Sequence, residues 1–405
     1  MGQAHALVLS GGGAKGAYEV GVMKALFGGA SPATGRQPIA VGIYTGTSVG
    51  SYNAAVMAAQ GDLPGLAAVE LLERIWCTQV AATPARCGNG VYRVRGLPFQ
   101  GLDPGCFLHP LEAATELAAD AASLSRSALV RGLNLVFSQA PLQTRAVETI
   151  DIAAFISAEP LQALVRDTLD FDRLRASPKS LTVVASNWRD GTWQLFSKTE
   201  IANRGGVPVL ASTAIPGFFP PVVIDGVPYV DGGATLNTPL LPAIREGAEV
   251  LHVIYLDPRT ERIPFPELPN TPDTLYRLYS ILIANTIQSD VLTAGILSEA
   301  VELAGEPRAE QAAEGKGLPR ALRRVRQRLR EGRPYRRLTI HQYRPSTDMG
   351  GVAGLFDFSS AVIDRFIELG YSDTVNHDCE QAGCSVHAPA GQPGGAAPAA
   401  AGTSP

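Results

Sequence analysis

A serine hydroxyl becomes a nucleophile when a turn exposes it and a base takes its proton, and this sequence offers candidates for both roles. Gly46-Thr47-Ser48-Val49-Gly50 fits G-x-S-x-G, in which small residues flank the serine because a sharp strand-to-helix turn leaves no room for larger side chains. The pattern is weak alone, since Gly and Ser are common. Its place between an apolar β-branched run and a small-residue helical run gives it weight. A serine pKa lies far above neutrality, so a base is required. Tyr229-Val230-Asp231-Gly232-Gly233 sets an acid at a strand end before two glycines, although Asp-Gly is more often only a turn. The six histidines are His5, His109, His252, His341, His377 and His387. In the chain order Ser, Asp, His only His341 and His377 are placed to complete a triad, and neither lies in a Gly-rich loop. A Ser48–Asp231 dyad is the simpler expectation.

Gly11-Gly12-Gly13-Ala14-Lys15-Gly16 follows an apolar strand, opens a helix and fits the letters of a dinucleotide fingerprint. That reading also needs an acid after the second strand, and no Asp or Glu occurs between Glu19 and Asp62. A Walker loop fails because Ala17 follows Gly16 where Lys is required. What remains is a run of bare N–H groups at a helix N-terminus, suited to a developing oxyanion, or a glycine turn that eases helix–strand packing.

The elements that must position these groups read as follows. His5–Ser10 is a strand, Ala14–Phe27 a helix, Ile39–Thr45 a second strand, Gly46–Gly50 a turn and Ser51–Ala59 a helix. Two βα units in succession imply adjacent parallel strands with a right-handed crossover, and ligands bind at the carboxyl ends of such strands. Leu66–Trp76 is an amphipathic helix, 80–108 a loop rich in Pro, Gly and Arg, and 110–168 mainly helical. Strand signals return at Leu181–Ala185, Thr192–Phe196, Val222–Ile224, Pro228–Val230 and Val250–Leu256, with Asp225-Gly226 as a hairpin turn. Helical patterns follow over Thr271–Leu303, Leu318–Leu329 and Ser359–Leu369. From Ala388 onward Ala, Pro and Gly dominate, the composition of a disordered tail.

These motifs, in this order and spacing, resemble the patatin-like phospholipases. The resemblance rests on Ser10–Gly16, Gly46–Gly50, the segment Ala211-Ser212-Thr213-Ala214-Ile215-Pro216-Gly217-Phe218-Phe219-Pro220-Pro221, and Asp231-Gly232-Gly233, and covers about residues 5–255. It implies an α/β/α sandwich, that is, an α/β fold of three layers with a mostly parallel sheet, and lipid acyl-ester hydrolysis without metal or cofactor. Carried over, Ser48 is the nucleophile and Asp231 the base. Gly11, Gly12, Gly13 and Ala14 form the oxyanion hole, and Lys15, Gly16, Gly46, Gly50, Gly232 and Gly233 support the motifs. Lys15 stands where Arg is common in that loop, and Asp-Gly-Gly where many members have Asp-Gly-Ala. The domain expectation is a catalytic domain over 1–256 with a cap or lid at about 80–168, a mainly helical region over 257–384, and a tail over 385–405. A lipid-surface binding protein that has lost turnover, and an acyl transferase or thioesterase, are the alternatives.

Composition narrows the classes further. The 405 residues include 34 Lys plus Arg and 38 Asp plus Glu for a net charge of −4, and 45% are hydrophobic, so the chain can fill a core and carries no global attraction for nucleic acid. Five cysteines, odd and sparse, are not a disulfide framework and point to a reducing, cytoplasmic setting. The N-terminus lacks a basic n-region, and Ala6 stands where a myristoylation signal needs Ser or Thr, so neither export nor a lipid anchor is expected. Residues 37–61 carry no charge, but polar residues and glycines interrupt the apolar run, which reads as a buried strand and helix. Residues 306–337 hold eleven Lys or Arg against four Glu, and Leu318, Leu322, Val325 and Leu329 form one stripe. Such a helix packs its leucines on the body or makes peripheral contact with an anionic membrane. His377, Cys379, Cys384 and His387 could ligate a metal, but the spacing matches no common zinc pattern closely and the segment borders the tail, so no metal is expected.

Overall fold

In the computed structural model, which describes residues 3–83, 88–95, 110–137, 152–263 and 338–386 with a few positions between 274 and 281, the first two βα units follow the sequence pattern. β1 (His5–Leu9) leads through a 3-10 turn at Gly13–Lys15 into α1 (Gly16–Phe27), and β2 (Val41–Thr47) leads into α2 (Val49–Ala59), with β1 and β2 parallel. The elbow is tighter than the expected turn over Gly46–Gly50. The strand continues through Thr47 and the helix starts at Val49, so Ser48 alone makes the corner.

After α3 (Gly65–Ile75), β3 (Arg93–Val94) pairs antiparallel with β4 (Ile156–Ser157) across the long α4 (Pro110–Phe137). Arg93 grips Asp120 of α4 with two hydrogen bonds of 2.7 and 3.0 Å, both residues being buried. A two-residue strand is too short for alternation to register, which is why 110–168 reads as helical throughout. Then come α5 (Glu159–Thr168), β5 (Ser180–Asn187), β6 (Trp193–Ser197), α6 (Val207–Ser212), β7 (Val222–Ile224), β8 (Val227–Asp231), α7 (Leu240–Arg245) and β9 (Val250–Ile254). Asp225 and Gly226, both at positive φ, turn the β7–β8 hairpin as expected.

β10 (Thr339–Tyr343) is a strand that the sequence reading leaves out of its mainly helical 257–384 region. Five residues, two of them Thr and His, make a thin signal, and the partner that fixes them as a strand is β9, far back in the chain. α8 (Gly351–Phe356), α9 (Ser360–Val375) and α10 (Cys379–Ala382) end the described chain. The basic segment 306–337 and the tail from 387 lie outside the described residues.

The sheet runs β10, β9, β1, β2, β5, all parallel, with antiparallel β6 on the far edge of β5. Alternation along β1 divides the core. Leu7 and Leu9 share one cluster with Tyr18 of α1, Met57 of α2, Leu72 of α3 and Phe366 of α9, while Ala6 and Val8 share another with Leu240 and Ile244 of α7. Helices therefore cover both faces of a mostly parallel sheet, a three-layer α/β/α sandwich. α1 is buried on nearly all sides and pressed against α9. A Cβ on Gly21 would lie 2.0 Å from the Ile367 carbonyl oxygen, and one on Gly370 would lie 2.1 Å from that of Tyr18.

Candidate active site

Strand register brings the serine to the acid. β6 takes one edge of β5 over Thr182–Ser186, so β2, paired with Ser180–Val184, and β8, paired with Ala185–Asn187, must share the other edge end to end. Thr47 sits opposite Val184 and Asp231 opposite Ala185, the next residue. The residue after Thr47 is Ser48, and its Oγ donates to Asp231 Oδ2 at 2.6 Å.

Ser48 has φ 54° and ψ −129°, a conformation that costs a non-glycine residue about 1–3 kcal/mol and persists only where the surroundings enforce it. Its own N–H donates to Ser212 Oγ at 2.9 Å, and its carbonyl accepts from Ser51 Oγ. The flanking glycines are required by close approach. A Cβ on Gly46 would lie 2.3 Å from the Gly50 carbonyl oxygen, and one on Gly50 would lie 2.6 Å from that of Leu9.

Asp231 is held on every polar atom. Its Oδ1 accepts from the Gly233 N–H at 2.7 Å, its N–H donates to the Ala214 carbonyl, and its carbonyl accepts from Ser186 Oγ. Burial pushes its pKa up from 3.8 to about 6, against the downward pull of the hydrogen bonds from Ser48 and Gly233. At neutral pH the group is ionised and a far better base than an exposed carboxylate.

The glycine loop lies against the elbow, so that a Cβ on Gly11 would approach Ser48 Cβ to 2.9 Å. Gly12, Gly13 and Ala14 present N–H groups with no acceptor among the described residues. Gly11 differs from the expectation that it is one of the donors. Its N–H is engaged by Asn237, through the side-chain oxygen at 3.2 Å and the backbone oxygen at 3.4 Å, and is not free for an oxyanion. Lys15 is buried and its Nζ pairs with Asp257 at 2.7 Å, fixing the loop to the chain just beyond β9. Gly16 packs on Val49, and Gly232 on Thr47 and the Val184 backbone.

Ser48 and Gly13 open onto a cleft of about 530 Å³, part of it open to solvent, whose walls include Tyr52, Trp76, Leu161, Leu164, Phe219 and Phe356. Among the described residues, no histidine lines it. His341 and His377 sit at the β10 edge of the sheet, in or beside that strand and away from the cleft. Sequence reasoning missed Asn237, which carries no signal beyond a polar turn residue, and assigned no role to Ser212. It also missed a buried network under the elbow in which Trp76 donates to Asn53, and Asn53 to the Gly16 carbonyl and to Glu19.

The family model for patatin-like phospholipase matches residues 7–244. That span exceeds half of the chain, and the protein belongs to the patatin-like phospholipase family, whose members are lipid hydrolases. No curated protein matches it. Among solved structures the chain is similar to VipD from Legionella pneumophila, with 16% identity over 92% of this chain and 66% of that one, at a TM-score of 0.31. This chain thus spans slightly less than two thirds of VipD. Among the described residues, no helix is long and apolar enough to cross a membrane.

Proposed function

We propose that the protein is a serine lipid acyl hydrolase that cleaves carboxylic ester bonds of phospholipids, lysophospholipids or other acyl esters through a Ser48–Asp231 dyad. The observation that carries this reading is the 2.6 Å hydrogen bond from Ser48 Oγ to a buried carboxylate, at a strained corner facing an apolar cleft. Asp231 accepts the Ser48 proton as Oγ attacks the ester carbonyl carbon. The N–H groups of Gly12, Gly13 and Ala14 receive the negative oxygen. Collapse expels the alcohol, which takes the proton from Asp231 and leaves an acyl-serine. Water then attacks that ester and gives a proton to Asp231, and the carboxylic acid departs as the acyl–oxygen bond breaks and Ser48 Oγ takes that proton from Asp231. The apolar walls suit an acyl chain, whose burial contributes about 0.8 kcal/mol per methylene.

The test is hydrolysis of short and long acyl p-nitrophenyl esters and of a lysophospholipid, together with labelling by a fluorophosphonate. The expected result is turnover that rises with chain length until the cleft is full, and a single phosphonylated residue, Ser48. A chain that binds lipid vesicles but neither turns over esters nor takes the label at Ser48 is a binding protein and not a hydrolase.

A further inference from the structure

The residues set aside as metal ligands in the sequence come together differently in the fold. His387 lies outside the described residues, and the fourth partner of His377, Cys379 and Cys384 is His341, in the middle of β10. One ligand atom from each of the four lies within 4.8 Å of all the others. His341 Nδ1 is 3.5 Å from Cys379 Sγ, and His377 Nε2 is 3.3 Å from Cys384 Sγ. A tetrahedral zinc with Zn–S of about 2.3 Å and Zn–N of about 2.0–2.1 Å has sulfur–nitrogen edges of about 3.6 Å, so the present spacing needs little adjustment to accept the ion. Two imidazoles and two thiols in this arrangement are a closed structural set, and such a nitrogen–sulfur donor set favours zinc over magnesium, calcium or manganese.

The backbone holds the four ligands in place from separate directions. His341 is fixed by β10, and its ring stacks on His252 of β9 at 5.3 Å. The His377 ring lies 4.6 Å from that of Tyr343. Asp378 caps α10 by accepting the N–H groups of Glu380 and Gln381, which sets Cys379 at the helix start. Gly383, in the left-handed region at φ 74°, turns the chain back so that the Cys384 N–H reaches the Cys379 carbonyl. Ser385 then pairs with Ile340 through two hydrogen bonds of 2.9 Å along the free edge of β10. A separate observation concerns the sulfur itself. The Gln342 N–H, on the same strand edge, donates to Cys384 Sγ at 3.3 Å, the kind of outer contact that supports a ligating thiolate.

We propose that His341, His377, Cys379 and Cys384 bind one structural zinc ion that fastens the end of the described chain to the edge of the sheet. The site lies three strand spacings from β2, on the order of 14 Å, so it is separate from the Ser48–Asp231 chemistry and does not depend on that reading. Its work is to close a sheet edge that would otherwise expose unpaired backbone groups, and to hold the corner between α9 and α10.

The test uses the full chain purified under reductant from cells grown without added metal. Elemental analysis should find about one zinc per chain, falling to below about a tenth in Cys379→Ser/Cys384→Ser and unchanged in Cys77→Ser, whose sulfur lies elsewhere beside Asp364. After stripping and cobalt(II) addition, the unaltered protein should show tetrahedral d–d absorption with a thiolate-to-cobalt band, a readout that needs no variant to fold. Stripping should lower the melting temperature, and zinc should restore it. An isolated chain without zinc that also fails to compete with a micromolar chromophoric chelator overturns the proposal, as does a Cys379–Cys384 disulfide persisting under reductant. Loss of ester hydrolysis on stripping, without unfolding, overturns the structural assignment.

Discussion

The corner where β2 meets β8 and the edge at β10 both gather polar side chains by strand register, yet they are built differently. At the corner, two strands finish against one edge of β5, and Ser48 and Asp231 stand at strand ends held by glycine crowding and a positive φ at Ser48. At the edge, His252 and His341 stand in the middle of neighbouring strands as opposed residues, and the cysteines arrive from a later turn. Strand ends can be bent and strained to aim a group at a ligand, whereas strand middles are rigid and suit a fixed cluster. Catalysis and stability should therefore separate between the two regions.

The strongest way to break that separation is Ser48→Ala. Ester turnover should fall by roughly 10⁴-fold or more, since the nucleophile is gone. The melting temperature should fall only slightly, because the change removes one hydrogen bond to Asp231 and no packing, and leaves the strained backbone as it is. Steady-state kinetics beside calorimetry checks both, and activity retained above a few per cent would remove Ser48 as nucleophile.

Asp231→Asn comes next, with an expected loss of about 10²–10⁴-fold in kcat. In the unaltered enzyme kcat/KM should rise with pH through about 6 as Asp231 ionises. Stability should run the other way. A carboxyl whose folded pKa is raised from 3.8 to about 6 binds its proton more tightly in the folded state, so its contribution is complete below about pH 4 and is lost as pH rises through 6. The loss amounts to about 3 kcal/mol. The amide of the variant does not titrate and has no such dependence, so the variant should gain on the unaltered protein at pH 8 and not at pH 4, less what the altered hydrogen bonds cost. Chemical unfolding at the two pH values decides it, and a variant equally less stable at both would show that the acid is not strained by burial.

How much of this was legible follows from the same contrast. The elbow, the glycine loop and the Asp231 motif are each local patterns, because a tight turn constrains residues within five positions of one another. They carried the family resemblance that the match over residues 7–244 bears out, and with it the α/β/α fold. The approach of Ser48 to Asp231 is not local and rested on that resemblance. β10 was missed, and with it the place of His341 beside the cysteines, because both depend on pairing with β9 across a long stretch of chain. The contact of Gly11 with Asn237 was illegible for a similar reason, since only the folded chain shows Asn237 engaging its N–H.

Gly50→Ala tests whether crowding holds the corner. Its new methyl would meet the Leu9 and Ser10 carbonyls at 2.6 and 2.7 Å, backbone atoms that cannot swing aside. A loss on the order of 3 kcal/mol in unfolding free energy is expected, with turnover falling even where the variant remains folded. Full activity with unchanged stability would mean that the Ser48 conformation does not need the close approach of β1.

The smallest effect should come from a second buried acid. Glu19, on α1 beneath the elbow, accepts from Asn53 Nδ2 at 2.8 Å, and burial holds its pKa well above the usual carboxylate value. Burial thus favours the protonated form, and a protonated carboxyl has nearly the shape and charge of an amide. Glu19→Gln should leave kcat/KM within about twofold and stability within about 1 kcal/mol at pH 6. As pH rises the variant should gain on the unaltered protein, since a raised carboxyl pKa withdraws its contribution with rising pH and the amide does not titrate. Calorimetry over a series of rising pH values with parallel ester assays measures this. A tenfold loss of turnover with the fold intact would show instead that Glu19 ionises and that its charge acts on the corner above it.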